Sequence, residues 1–163
     1  MKGIQNPPTT GIVGTLSNNL TSPMVLNSLT EGVIVADPAG RFVFFNTAAE
    51  RILGLGSLEI PPDEWSLVYG CYQVDRVTLY PPRQLPLLRA IYGEVVTEEI
   101  IFIKNPAQPD GVWISVSGSP VYSADGKIEG GVVIIRDITE HRNTLEQKER
   151  LALAVEQLSL IHI

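Results

Sequence analysis

The sequence is poor in the residues that mark a catalyst, a secreted domain or a membrane span. It holds a single cysteine, Cys71, so no internal disulfide can form and the chain suits a reducing cytoplasm. Its two histidines, His141 and His162, stand alone, and no His or Cys cluster has metal-ligand spacing. Basic residues are outnumbered: twelve Lys and Arg against eighteen Asp and Glu leave a net charge of −6. That balance argues against a broad phosphate-binding surface, and so against nucleic acid as a partner, while leaving protein partners open. No apolar run reaches signal-peptide or membrane-span length, and the opening Met1–Thr15 is broken by Gly, Pro and Thr. This segment is therefore expected to make no membrane contact.

What is present is enough for one globular domain. The 163 residues are 44% hydrophobic and 18% charged, a composition that builds a core without staples. Residues 1–20 read as a flexible leader. A flanking helix over 22–30 follows, with Pro23 at its first position and Val25, Leu26 and Leu29 on one sticky face. A hairpin comes next: Gly32–Ala36, the turn Asp37-Pro-Ala-Gly40, and the return strand Arg41–Phe45. Asn46 stands at a helix N-cap, ahead of Ala48, Ala49, Ile52 and Leu53, and Gly54 and Gly56 stop that helix.

Residues 57–83 carry two Pro-Pro pairs and short apolar pieces, read as short helical turns and loop; a firmer helix spans Leu85–Tyr92. Three strands close the domain: Glu98–Lys104, Val112–Tyr122 and Lys127–Asp137, separated by the loop Asn105–Gly111 and the turn Ser123–Gly126. Val132–Ile135 is apolar on both faces of a period-two strand, so both faces need cover, from helices, a second protomer or both. Beyond Thr139 the pattern turns helical. Leu151, Val155 and Leu158 carry the 4-then-3 step of a short coiled coil, and residues 143–163 form a helical linker toward an output domain. The apolar end Ser-Leu-Ile-His-Ile, 159–163, reads as an arbitrary end or a cloning remnant. The class is α+β: a five-stranded antiparallel sheet with helices on one face, a flanking helix before it and an exit helix after it.

This order, with the stretches Glu31-Gly-Val-Ile-Val-Ala-Asp37, Gly40-Arg-Phe-Val-Phe-Phe-Asn46, Ala48-Ala-Glu-Arg-Ile-Leu-Gly54, Leu85–Glu94, Trp113–Pro120 and Gly131–Arg142, resembles the PAS domain family over about residues 24–142. The resemblance implies a non-catalytic sensory domain, residues 21–142, of a bacterial multi-domain signalling protein, most like those of sensor histidine kinases in two-component systems. It also implies an output domain downstream in the same chain, while the two-faced strand Val132–Ile135 and the apolar positions Val25, Leu26, Leu29, Leu151, Val155 and Leu158 of the flanking and exit helices point to a homodimer. Signal transfer falls to Asp137 and Thr139, which end the last strand, where a carboxylate accepts backbone N–H groups and Thr caps the helix.

A pocket on the helix side of the sheet is drawn from Phe44, Leu53, Trp65, Tyr69, Leu88, Ile91, Ile101, Ile103 and Trp113, either as a filled core or as the site of a small apolar ligand. No cofactor is expected. The helix that carries a haem-ligating His in some relatives has none over Leu85–Tyr92. Gly70-Cys-Tyr-Gln lacks the context of a flavin-adduct cysteine and of a thioester-attachment site. A noncovalent flavin-type sensor and a ligand-free dimerisation scaffold are the alternatives. His141 lacks the surroundings of a phosphoacceptor and reads as a solvated helix position. Asp63 and Glu64 adjoin Pro61-Pro62 with no convergent base or nucleophile.

Overall fold

The computed structural model describes residues 30–161, with side chains described as far as Gln157. The leader 1–20 and the flanking helix with Val25, Leu26 and Leu29 lie outside the described residues, as does the side chain of Leu158.

Strands β1 (Gly32–Ala36) and β2 (Phe42–Phe45) form the expected hairpin. Its turn is tied by the Asp37 carboxylate, which accepts the N–H groups of Ala39 and Arg41 at 3.0 and 2.9 Å. Helix α1 (Thr47–Leu53) follows, capped by Asn46 and closed by Gly54 at φ 83°. The Asn46 side chain is fully buried. Its Oδ1 accepts the N–H groups of Ala49 and of Val33, both at 2.9 Å, so one residue starts the helix and pins it to β1.

A 3-10 turn, Pro62–Glu64, leads into α2 (Trp65–Tyr69). Gly70 then takes φ 73°, and a Cβ there would stand 1.8 Å from the Lys104 carbonyl oxygen. Glycine alone lets the chain turn so close to the sheet. Strand β3 (Cys71–Tyr72) comes next, then a second 3-10 turn at Pro82–Gln84 and α3 (Pro86–Ile91). Strands β4 (Val96–Asn105), β5 (Gln108–Tyr122) and β6 (Ile128–Asp137) complete the sheet, and α4 (Thr139–Ile161) leaves it.

The sheet order is β2-β1-β6-β5-β4-β3, antiparallel at every pairing. The α+β class is as expected, with a sixth strand added: two-residue β3 rises from the stretch read as turns and loop. The loop read over Asn105–Gly111 is a tight hairpin instead. Asn105 Oδ1 accepts the N–H groups of Ala107 and Gln108 at 2.9 and 3.0 Å, turning the chain so that β5 begins at Gln108. The Asn105 Nδ2 donates to the carbonyls of Leu53 and Tyr69 at 2.9 and 2.8 Å. A single buried amide thus fastens the ends of α1 and α2 to the sheet.

The sheet has two unlike faces. Ile34, Ile101, Ile103, Ile114, Val133 and Ile135 point to the helices and join the main core. Val33, Val35, Val121 and Val132 form a smaller cluster on the other face, with Val43 and Phe44 beside it.

Candidate functional site

On the helix side the core is not completely filled. A cavity of about 80 Å³ lies between the sheet and helices α1–α3, walled almost wholly by carbon. Of the residues picked for a pocket, Leu53, Trp65, Tyr69, Ile101 and Ile103 line it. Leu88 and Ile91 are buried in the same core but do not reach its wall.

Phe44 and Trp113 do not belong to it, and each has a physical reason. In β2 the register shifts: Ile34 pairs with Phe45, Val35 with Phe44, and Ala36 with Phe42. This β-bulge puts two residues, Val43 and Phe44, on the outer face and turns both Phe42 and Phe45 inward. Strict alternation cannot anticipate that. Trp113 alternates with Val112 and Ile114, which face the helices, so it stands on the outer face and packs on Phe102 with ring centroids 4.8 Å apart. Here the sequence held a usable clue. Ser115 and Ser117 share the parity of Trp113, whereas Ile114 and Val116 share the parity of the core.

The wall residues missed in the sequence include Phe42, Phe45, Cys71, Leu85, Ile114 and Ile135. Phe42 stacks on Trp65 at 5.3 Å and 18° and meets Phe45 edge-on at 5.4 Å, giving the cavity an aromatic end. Cys71 is buried in the wall, and burial pushes its thiol up to about 12. It is a neutral thiol at ordinary pH rather than a nucleophile. Burial likewise pushes the Tyr69 phenol up to about 12, and its hydroxyl donates to the Gly56 carbonyl at 2.6 Å. The Trp65 indole Nε1 and the Ser66 Oγ are buried with no hydrogen-bond partner among the described residues.

The strand-to-helix junction sits at the far end of two of these walls. Asp137 is the register partner of Ile114, a cavity residue. Its Oδ1 accepts the Thr139 N–H at 2.9 Å, a short loop of the kind that starts a helix. Thr139 does not cap α4 with its side chain. Its Oγ1 instead accepts the Trp113 N–H at 2.9 Å, while the Ile138 N–H donates to the Trp113 carbonyl at 2.8 Å. The hydroxyl ties the helix start to β5, because β5 runs past the end of its partner and leaves the Trp113 amide without a ladder bond. His141 is exposed on the first turn of α4, and Asp63 and Glu64 are exposed on their 3-10 turn. Leu151 and Val155 stand 60% and 62% exposed. Among the described residues no group of three or more His, Cys, Asp or Glu could hold a metal ion, and no helix is long and apolar enough to cross a membrane.

Comparison with known proteins agrees with this geometry. A family model described as the PAS fold matches residues 26–143. The signal transduction histidine-protein kinase AtoS of Escherichia coli K12 is 29% identical over 132 residues, which are 79% of this chain and 20% of that protein. The chain therefore spans about a fifth of that relative's length. Among solved structures, an RNA-binding light-oxygen-voltage receptor superposes with a TM-score of 0.55 at 23% identity, covering 86% of this chain and 38% of the other. A light-oxygen-voltage domain studied with a flavin analogue gives 0.51 at 12% identity, covering 79% and 96%. Both likenesses concern the fold alone.

Proposed function

The chain belongs to the PAS fold family, and from that premise we propose that it is a sensory module that takes a small apolar molecule into its helix-side cavity. The event passes through Asp137, Thr139 and α4 to an output domain of the histidine-kinase kind carried by a longer cytoplasmic chain. The observation that carries this reading is the pairing of Ile114 with Asp137. A residue in the cavity wall is the register partner of the residue that starts the exit helix, so a shift of β5 around a ligand moves the junction directly.

The cavity's chemistry narrows the ligand. Its walls offer no charge, and Trp65, one of its wall residues, carries a buried indole N–H without a hydrogen-bond partner among the described residues. Its size, about 80 Å³, is well below the roughly 150 Å³ of an engineered cavity that binds benzene. A compact molecule of a few heavy atoms, with at most one hydrogen-bond acceptor, suits it. A flavin's three fused rings would need the walls to move apart, so the flavin-type reading ranks behind. A ligand-free scaffold is the other reading. It draws on Leu151 and Val155, whose exposure on α4 suits a helix-to-helix seam in a homodimer, together with Leu158 and the leading segment with Val25, Leu26 and Leu29.

Native mass spectrometry of the purified full chain tests these readings together. A dimer with a small bound mass, lost on dialysis and restored by small apolar compounds that raise the melting temperature, is expected. A dimer that never carries a bound mass and ignores such compounds leaves the scaffold alone. A monomer at tens of micromolar removes the dimer from both.

A further inference from the structure

One segment belongs to both faces of the sheet. Cys71 lies in the cavity wall, whereas its neighbour Tyr72 pairs with Phe102, whose ring is on the outer face. The chain then turns and comes back: the Tyr80 N–H donates to the Cys71 carbonyl, and Tyr72 bridges Leu79. The tip of this small hairpin is rigidly built. The Asp75 carboxylate accepts the N–H groups of Val77 and Thr78 at 2.9 and 2.8 Å and the Thr78 hydroxyl at 2.5 Å. These bonds hold Arg76 at φ 68°, a left-handed conformation that costs a non-glycine residue free energy.

That conformation puts the Arg76 side chain against the exit helix. Its guanidinium carbon lies 5.2 Å from the Trp113 ring centroid and 5.7 Å from that of Phe102, and its Nη2 donates to Glu146 Oε2 of α4 at 3.0 Å. One turn earlier on α4, Arg142 lies 4.2 Å over the same Trp113 ring, with its Nε buried and without a hydrogen-bond partner. Two cations thus share one indole, and a loop residue closes the arrangement by an ion pair to a helix seventy positions away. Among the described residues, Arg76–Glu146 is the ion pair that joins α4 to the body of the domain.

We propose that residues 71–80 form a strap that couples the cavity to the exit helix, with Arg76 as its positioning residue. The inference rests on the sensory reading above and adds a route to it. A molecule that presses on Cys71 displaces the stem of the hairpin, the stem carries the tip, and the tip takes Arg76 off Glu146 and Trp113. The first two turns of α4 then lose one of their anchors, alongside the movement of the Asp137–Thr139 junction.

Hydrogen exchange of the backbone amides of residues 143–148 in the full chain reads this directly. Arg76→Gly removes the side chain yet suits φ 68°, so the tip of the hairpin stays formed. Exchange in 143–148 should rise about fivefold, the size expected for losing a partly exposed ion pair with its aromatic contacts, while β4 and β5 keep their protection. Unchanged exchange in 143–148 overturns the strap. Coupling is tested with Cys71→Leu, which adds two heavy atoms to the cavity wall. It should alter exchange in 143–148 when Arg76 is present and leave it unaltered in the Arg76→Gly background. An equal change in both backgrounds overturns the strap while the sensory reading stands. No change in either overturns the strap and counts against the sensory reading too. If Cys71→Leu does not fold, xenon under pressure, which enters dry apolar cavities, takes its place as the filler in the same two backgrounds.

Discussion

The two faces of the sheet are made of similar residues and behave differently. The helix-side face packs on the helices: Ile103 is 1% exposed, helices α1 and α2 are fastened by the buried Asn105, and the space left over is lined almost wholly by carbon. The outer face ends in chemistry that reaches outward. It carries half-buried Phe44, Ile134 at 37% exposure, and Trp113 under two arginines at the root of α4. Both faces hold deeply buried residues, Val33 and Val35 on the outer one among them, but the contacts to α4 are made from the outer face.

The division is open to breakage at several points. Ile103→Ala should cost about 3 kcal/mol in chemical denaturation, since it opens a hole in a packed wall. Phe44→Ala on the outer face should cost no more than about 1 kcal/mol, because only part of its area leaves water. Equal costs would mean that Phe44 is as deeply buried as Ile103 in solution.

Asn105→Ala should come next, at about 2 kcal/mol, because it leaves the carbonyls of Leu53 and Tyr69 without their donor in a buried site. A neutral result would show that water or backbone movement satisfies those groups, and that the helix side is less rigid than its packing implies.

The buried thiol gives the helix-side face a dependence on alkali. Cys71 is raised from 9.0 to about 12. Above pH 9 the unfolded chain releases that proton and the folded chain keeps it, so the folded state binds more protons and stability falls as pH rises. The slope contributed is about 1.4 kcal/mol per pH unit. Thermal melts from pH 8 to 11 should show the decline, and Cys71→Ala should remove its first part. A variant with the same slope as the parent would place the thiol in contact with water.

The smallest effect belongs to the junction. Asp137→Ala should cost at most about 1 kcal/mol, the loss of an exposed bond at a helix start. On the proposed sensory reading, the isolated domain should melt almost normally while the output domain of the parent chain responds differently to its signal. A normal melt with normal regulation would reduce Asp137 to a cap.

Much of this was legible beforehand. The Asp37-Pro-Ala-Gly40 turn, the Asn46 cap, the Gly54 stop and the exit helix after Asp137 follow from turn chemistry and short-range periodicity, and the ordered set pointed to the PAS fold. Asn105 and Arg76 were not legible as organising residues. Asn105 sits among prolines in what reads as loop, and its partners are 36 and 52 positions away. Arg76 looks like any surface cation until the hairpin places it beside Glu146.

The family, the α+β class and most of the order of elements were thus legible in the sequence alone. The elements were so because caps, turns and periodicity act over a few positions, and the family because the motifs follow one another in a set order. The two-residue strand β3 was not. The tertiary structure alone decided which aromatic residues see the cavity, that a cavity exists, and what holds the exit helix. A shift of one residue in strand register exchanges the faces of a whole strand. In β2 that shift arises where the strand meets β1, and only the assembled sheet determines it.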